Sequence, residues 1–201
     1  MIRNPETLPS LDFYFSFRSP YAWLAFNRLS RLKDNLPVSL YYRPILRQPT
    51  LDSTTNPHKT SYIIEDVTRF AKSYGLTLRW PEIIDTDWLR PHSAFLYALD
   101  QGRPVEFALA AFAARFSQGE DLGQNDTLST IAEQCGLPVN EVIKSADDSL
   151  YQQRLHDITH SSRQQGIFGV PFFVFNDQRF WGNDRIEWLL EEIYLETKPK
   201  N

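Results

Sequence analysis

Three short stretches of the chain hold residues whose types and spacing can do chemistry. The first is Phe15-Ser16-Phe17-Arg18-Ser19-Pro20-Tyr21. Ser followed by Pro is an ordinary helix start, with Ser19 as N-cap and Pro20 as the first helical residue. The same geometry has a chemical use. A helix N-terminus presents free N–H groups and about half a positive charge, which stabilise an anion held there. A serine hydroxyl beside it can donate a hydrogen bond to a thiolate. No cysteine lies near Ser19 in the sequence, so a thiolate stabilised here would be a ligand's.

The second stretch is Gly166-Ile167-Phe168-Gly169-Val170-Pro171. A proline opening an apolar strand admits a cis bond at small cost. It equally admits an edge strand that merely begins with proline. In the cis case the Val170 backbone turns outward and can pair with an extended, peptide-like ligand as an added strand does. The third stretch is Trp181-Gly182-Asn183-Asp184-Arg185. Asn183 or Asp184 is expected to cap the last helix. Helix N–H groups there can take a carboxylate while Asp184 pairs with an α-ammonium, so both ends of an amino-acid head group are served.

Other reactive residues read as structural. The single cysteine, Cys135, sits in a short helical pattern that ends at Gly136 and is expected to be buried packing. It has no partner for a disulfide. His156 and His160 are four apart on a helical segment, a spacing that can bind zinc, but no further ligand accompanies them.

These stretches must be positioned by elements, and the pattern of the chain names them. Residues 11–17 alternate as a strand, 21–32 carry Trp23, Phe26, Leu29 and Leu32 at helical spacing, and 38–43 read as a second strand. The connection length predicts a parallel βαβ unit. Residues 46–57 read as a loop. Helical periods follow over 58–75, 93–99, 105–116, 127–135 and 140–165, the last splitting near 146–149. Strand signals return at 172–175 and 179–181, joined by Asn176-Asp177 as a hairpin turn. A final helix covers 185–195. The order βαβ, helices, ββα gives an α/β fold of thioredoxin-like type with an all-helical insertion. The predicted division is residues 1–45 with 166–201 as the thioredoxin-like domain and 46–165 as the insertion.

Composition narrows the partners. The chain has 201 residues, a net charge of −4 and 42% hydrophobic residues. An acidic chain without a basic stripe argues against duplex nucleic acid. Residues 107–114 form the longest apolar run, too short to span a bilayer. Residues 1–10 lack the apolar core of a leader. With one cysteine, a cytoplasmic location is expected.

Taken together, FYFSFRSPYAWLAF, GIFGVP and FWGNDRIEWL resemble the 2-hydroxychromene-2-carboxylate isomerases, relatives of kappa-class glutathione transferases in the DsbA-like thioredoxin superfamily. The resemblance runs from about Leu11 to Leu195. It implies glutathione as cofactor, a small aromatic or unsaturated electrophile as substrate, and a homodimer. It implies Ser19 as the catalytic serine that hydrogen-bonds the glutathione sulfur. Val170 and Pro171 match the cis-proline segment that pairs with the tripeptide, and Asn183 and Asp184 match the pair holding its γ-glutamyl group. Lys59 matches a lysine that reaches the ligand carboxylate or the substrate. Segment 45–58 is shorter than in the family, with Thr50 at the spacing of a ligand-binding asparagine and Asn56 as a loose substitute. The implied activity is a glutathione-dependent isomerisation by thiolate addition and elimination. A kappa-like transferase, or a binding protein without redox cysteines, are the alternatives.

Overall fold

In the computed structural model, residues 8–46 and 57–198 are described. Thr50 and Asn56 therefore lie outside the described residues. Four strands form one mixed sheet in the order β2-β1-β3-β4. Strand β1 (Ser10–Phe15) pairs parallel with β2 (Ser39–Pro44), and the helix α1 (Pro20–Leu32) connects them. Strand β3 (Phe172–Phe175) pairs antiparallel with β1 and with β4 (Gln178–Trp181). Asn176 and Asp177 both have positive φ, at 48° and 62°, the backbone that a two-residue hairpin turn requires. The predicted βαβ unit and hairpin are thus both present, and the fold is thioredoxin-like.

Between β2 and β3 lie six helices: α2 (Pro57–Ser73), α3 (Leu89–Asp100), α4 (Pro104–Ala113), α5 (Asn125–Gln134), α6 (Val139–Ala146) and α7 (Ser149–Gln164). The predicted break near 146–149 falls between α6 and α7, where Asp148 caps α7 by accepting from the Leu150 N–H at 2.7 Å. Helix α4 runs on into a π turn, Ala114–Gln118, closed by Gly119 at φ +80°. Helix α8 (Ile186–Thr197) ends the fold.

The aromatic residues that stand out in the sequence form the core. Strand β1 and the residues after it send Phe13, Phe15 and Phe17 inward, all fully buried. Phe15 packs edge-on against Phe17, Phe26 of α1 and Phe95 of α3, with centroids 5.4, 5.6 and 5.1 Å away. Phe17 meets Phe112 of α4 at 5.0 Å. A single apolar core thus runs from the sheet into the helical insertion. That core sets the height of the β1–α1 turn, and so the place of Ser19. Among the described residues no helix is long and apolar enough to cross a membrane. Replacing Phe15 with Ala removes a ring with five aromatic neighbours and is expected to cost about 3–5 kcal/mol of stability, measured by urea denaturation.

Candidate functional site

Ser19 sits where β1 hands over to α1, with extended backbone (φ −91°, ψ 116°). Its hydroxyl accepts from the Ala22 N–H at 3.2 Å, and its carbonyl accepts from the Trp23 N–H at 3.1 Å. The N-cap reading of Ser19 and the N1 reading of Pro20 therefore hold. The Ser19 hydroxyl proton is directed elsewhere, donating to the Val170 carbonyl at 3.3 Å. This contact joins residues 151 positions apart.

The Val170–Pro171 bond is cis, which settles the alternative left open by the sequence. The Val170 N–H makes no hydrogen bond among the described residues, so it remains available to a ligand strand. Its carbonyl is engaged by Ser19. The Pro171 carbonyl accepts from the Gly182 N–H at 3.0 Å, tying the proline segment to the third stretch. Gly169 is required for a close approach: a Cβ there would stand 2.7 Å from the Trp181 indole nitrogen.

Ser19 and Val170 line a mainly apolar cavity of about 310 Å³, walled by Ile45, Leu46, Ile63 and Phe168. A second lobe of about 460 Å³ is bounded by α2 and by residues from Trp181 to Arg185. Tyr21 and Val170 line both lobes. The two lobes meet beside the N-terminus of α1, and three of the stretches singled out by sequence converge there.

The third stretch corrects one expectation. Neither Asn183 nor Asp184 caps a helix. Residues Asn183–Arg185 form a 3-10 turn preceded by Gly182 at φ +112°, with no side-chain cap, and α8 also begins uncapped by a side chain. A glycine at 182 is needed because φ +112° is a backbone that side-chain-bearing residues rarely adopt. Asn183 turns inward instead and is 2% exposed. Its amide donates to the Tyr74 hydroxyl at 3.2 Å, and its backbone carbonyl accepts from Arg28 at 2.8 Å. The side-chain carbonyl oxygen of Asn183 is buried with no hydrogen-bond partner, and an acceptor so placed calls for a donor. Asp184 stays exposed and holds Arg185 at 2.9 Å.

Lys59 lies on the first turn of α2, exposed, one turn before Ile63, and it lines neither lobe. Cys135 is buried and outside both lobes, and burial raises its thiol to about 11, as befits packing. His156 and His160 are exposed, and His160 contacts Gln164 at 3.1 Å. No group of His, Cys, Asp or Glu among the described residues could hold a metal ion.

Sequence reading misses residues that carry no motif of their own. Tyr21 donates its hydroxyl to Asp66 of α2 at 2.9 Å. Burial, then Asp66, raises the phenol well above its ordinary value, so it stays a proton donor. His92 of α3 is fully buried beneath the β1–α1 turn. Its Nε2 accepts from the Phe17 N–H at 3.1 Å and pairs with the Ser16 hydroxyl at 3.2 Å. Its Nδ1 donates to the Trp88 carbonyl at 2.7 Å. A neutral ring with its proton on Nδ1 satisfies all three contacts. Ser16 in turn accepts from the Ser19 N–H through its carbonyl at 3.0 Å. His92 thus holds the turn that presents Ser19.

With this geometry in place, comparison with known proteins is direct. The chain belongs to the DsbA-like thioredoxin domain family, whose model matches residues 10–194. It is 30% identical over 195 residues to the 2-hydroxychromene-2-carboxylate isomerase of Sphingobium xenophagum, covering 92% of this chain and 97% of that one. Glutathione S-transferase kappa 1 of Rattus norvegicus is 22% identical, with 94% of each chain covered. Among solved structures, a 2-hydroxychromene-2-carboxylate isomerase superposes with a TM-score of 0.83 at 24% identity over 92% of this chain and 95% of that one. That likeness establishes the shared fold. These curated relatives are named as an isomerase and a glutathione transferase, which supports an enzyme of that group.

Desolvation lowers His92 to about 4, whereas the unfolded chain protonates near 6.5. Between these values the unfolded state binds a proton that the folded state refuses. Stability is therefore full above about pH 6.5 and declines as pH falls toward 4, by a few kcal/mol. Denaturant midpoints measured across this range should show a smaller decline for His92→Asn than for wild type.

Proposed function

We propose that the protein is a glutathione-dependent isomerase of the 2-hydroxychromene-2-carboxylate type. One observation carries the reading: a serine hydroxyl and the N-terminus it caps meet at a largely apolar cavity with no thiol among its described lining residues. Thiolate chemistry is provided for, and the thiol is left to a ligand.

The residues present fit glutathione. The second lobe offers the exposed Asp184 carboxylate for an ammonium and the unpartnered Asn183 oxygen for a donor. The Val170 N–H can pair with a peptide backbone, and Lys59 on α2 is proposed to reach the ligand or substrate carboxylate. When bound, glutathione supplies a thiolate that adds reversibly to an unsaturated substrate carbon and is released unchanged after that bond has turned.

The chain's own part is electrostatic and positional. The α1 N-terminus lowers the energy of negative charge on sulfur. Ser19 turns its hydroxyl from the Val170 carbonyl to donate to the sulfur instead, a rotation about one side-chain bond. Tyr21 keeps its proton and packs between the lobes, separating tripeptide from substrate. Ile45, Ile63 and Phe168 exclude water from the reacting carbon. The reading includes a cytoplasmic location, supported by the lone buried thiol, and a homodimer, supported by resemblance to kappa-class transferases.

Calorimetric titration with glutathione tests the cofactor. Wild type should bind, Asp184→Ala should bind about tenfold more weakly for want of a charge-assisted contact, and no heat with wild type rejects the proposal. In a turnover assay with 2-hydroxychromene-2-carboxylate, Ser19→Ala should retain glutathione but lose about 10²-fold or more in kcat. Consumption of glutathione with formation of a conjugate would assign a transferase instead.

A further inference from the structure

Arg18, immediately before Ser19, is the cationic side chain among the described residues lining the apolar lobe. We propose that Arg18 is the specificity-determining residue that anchors an anionic group, a carboxylate, on the substrate. The inference rests on the preceding reading for the reacting centre and adds the group that orients the electrophile against it.

The surroundings of Arg18 carry the argument. The rest of the lobe is Ile45, Leu46, Ile63 and Phe168, with Tyr21, two serines and small positions whose side chains carry no charge. An apolar slot with one guanidinium at its edge selects an apolar body bearing one anion. Arg18 is partly exposed and donates through Nε to Asp85 at 2.9 Å. Its two Nη nitrogens make no hydrogen bond among the described residues. They are the paired donors that match a carboxylate in bidentate geometry.

Asp85 does not saturate this charge. Its side chain is 67% exposed, and it also accepts from the Trp88 indole at 3.3 Å. A second guanidinium, Arg115, lies in the same region. It is 2% exposed, donates to the Ile84 carbonyl at 2.7 Å and stacks over Trp88 at 5.1 Å. Two of its nitrogens are buried without partners. Burial foremost disfavours the Arg115 charge; Asp121 supports it, Arg18 opposes it and Asp85 supports it. Two guanidinium groups therefore draw on Asp85, and the neighbourhood has capacity for a further anion. Because Arg18 adjoins Ser19, an anion held there fixes which substrate carbon faces the sulfur. In the other lobe the charged lining residues are Asp66, Asp184 and Arg185, with Arg185 paired to Asp184. The apolar lobe is thus the one whose charged lining is solely cationic.

Two probes of matched shape, cinnamate and cinnamamide, read this charge without requiring turnover. By calorimetry, wild type should prefer cinnamate by about tenfold or more. Arg18→Gln should abolish the preference and leave glutathione affinity within about twofold, as expected for a group outside the tripeptide site. Arg18→Lys should keep part of the preference, and Asp85→Asn should strengthen cinnamate binding. Equal binding of the two probes by wild type, or an intact preference in Arg18→Gln, overturns the proposal even if glutathione binds normally. Loss of glutathione binding in folded Arg18→Gln also overturns it, since the guanidinium then serves the tripeptide's glycyl carboxylate. If wild type binds no glutathione yet keeps a cinnamate preference that Arg18 controls, the thiol reading falls and the role of Arg18 stands.

Discussion

The site depends on one contact, the hydrogen bond from the Ser19 hydroxyl to the Val170 carbonyl. It closes a junction between the start of the first helix and the proline segment that follows the last insertion helix. At that junction Ser19 caps α1, taking the Ala22 N–H on its hydroxyl and the Trp23 N–H on its carbonyl, beside the apolar lobe. The proposed thiolate site rests on this serine and on the α1 N-terminus beside it. The nearest sulfur in kind, Cys135, is buried in the helical insertion with its thiol held protonated.

Supporting groups surround this junction on every side. From below, His92 fixes the Ser16–Phe17 turn through two hydrogen bonds while a third, to the Trp88 carbonyl, holds its ring, which packs 5.0 Å from Phe17. From the insertion, Asp66 pins Tyr21 between the two lobes. From the C-terminal side, Arg28 of α1 holds the Asn183 carbonyl and lies 5.3 Å over the Tyr74 ring. The consequence is a division of labour by charge. One lobe has Arg18 as its charged lining residue, and the other has Asp66, Asp184 and Arg185, among the described residues. The two lobes thus present different charged groups on either side of Tyr21 and Val170.

Much of this was legible in the sequence, and the parts that were not share a cause. Strands and helices announce themselves locally: Phe13 and Phe15 alternate with polar neighbours, and Trp23, Phe26 and Leu29 repeat at helical period. Ser19-Pro20 is a local signal and was read correctly as cap and first helical residue. The Asn183-Asp184 pair shows the limit. Its composition is that of a cap, but Gly182 admits a left-handed backbone that swings Asn183 into the interior toward Tyr74, 109 positions away. Tyr21, Asp66 and His92 were not visible for the same reason. Each acquires its role only through a partner on a distant element, and one sequence contains no record of such pairings. Lys59 has no local signal of its own: it stands exposed on the first turn of α2 and lines neither lobe.

The most direct measurement is the ionisation of bound glutathione, followed by the ultraviolet absorbance of its thiolate across pH. The account predicts that the bound thiol loses its proton well below the ordinary thiol value of about 8.5, and that Ser19→Ala moves it part of the way back. A bound thiol that titrates as it does free in solution, unaffected by Ser19, would contradict it.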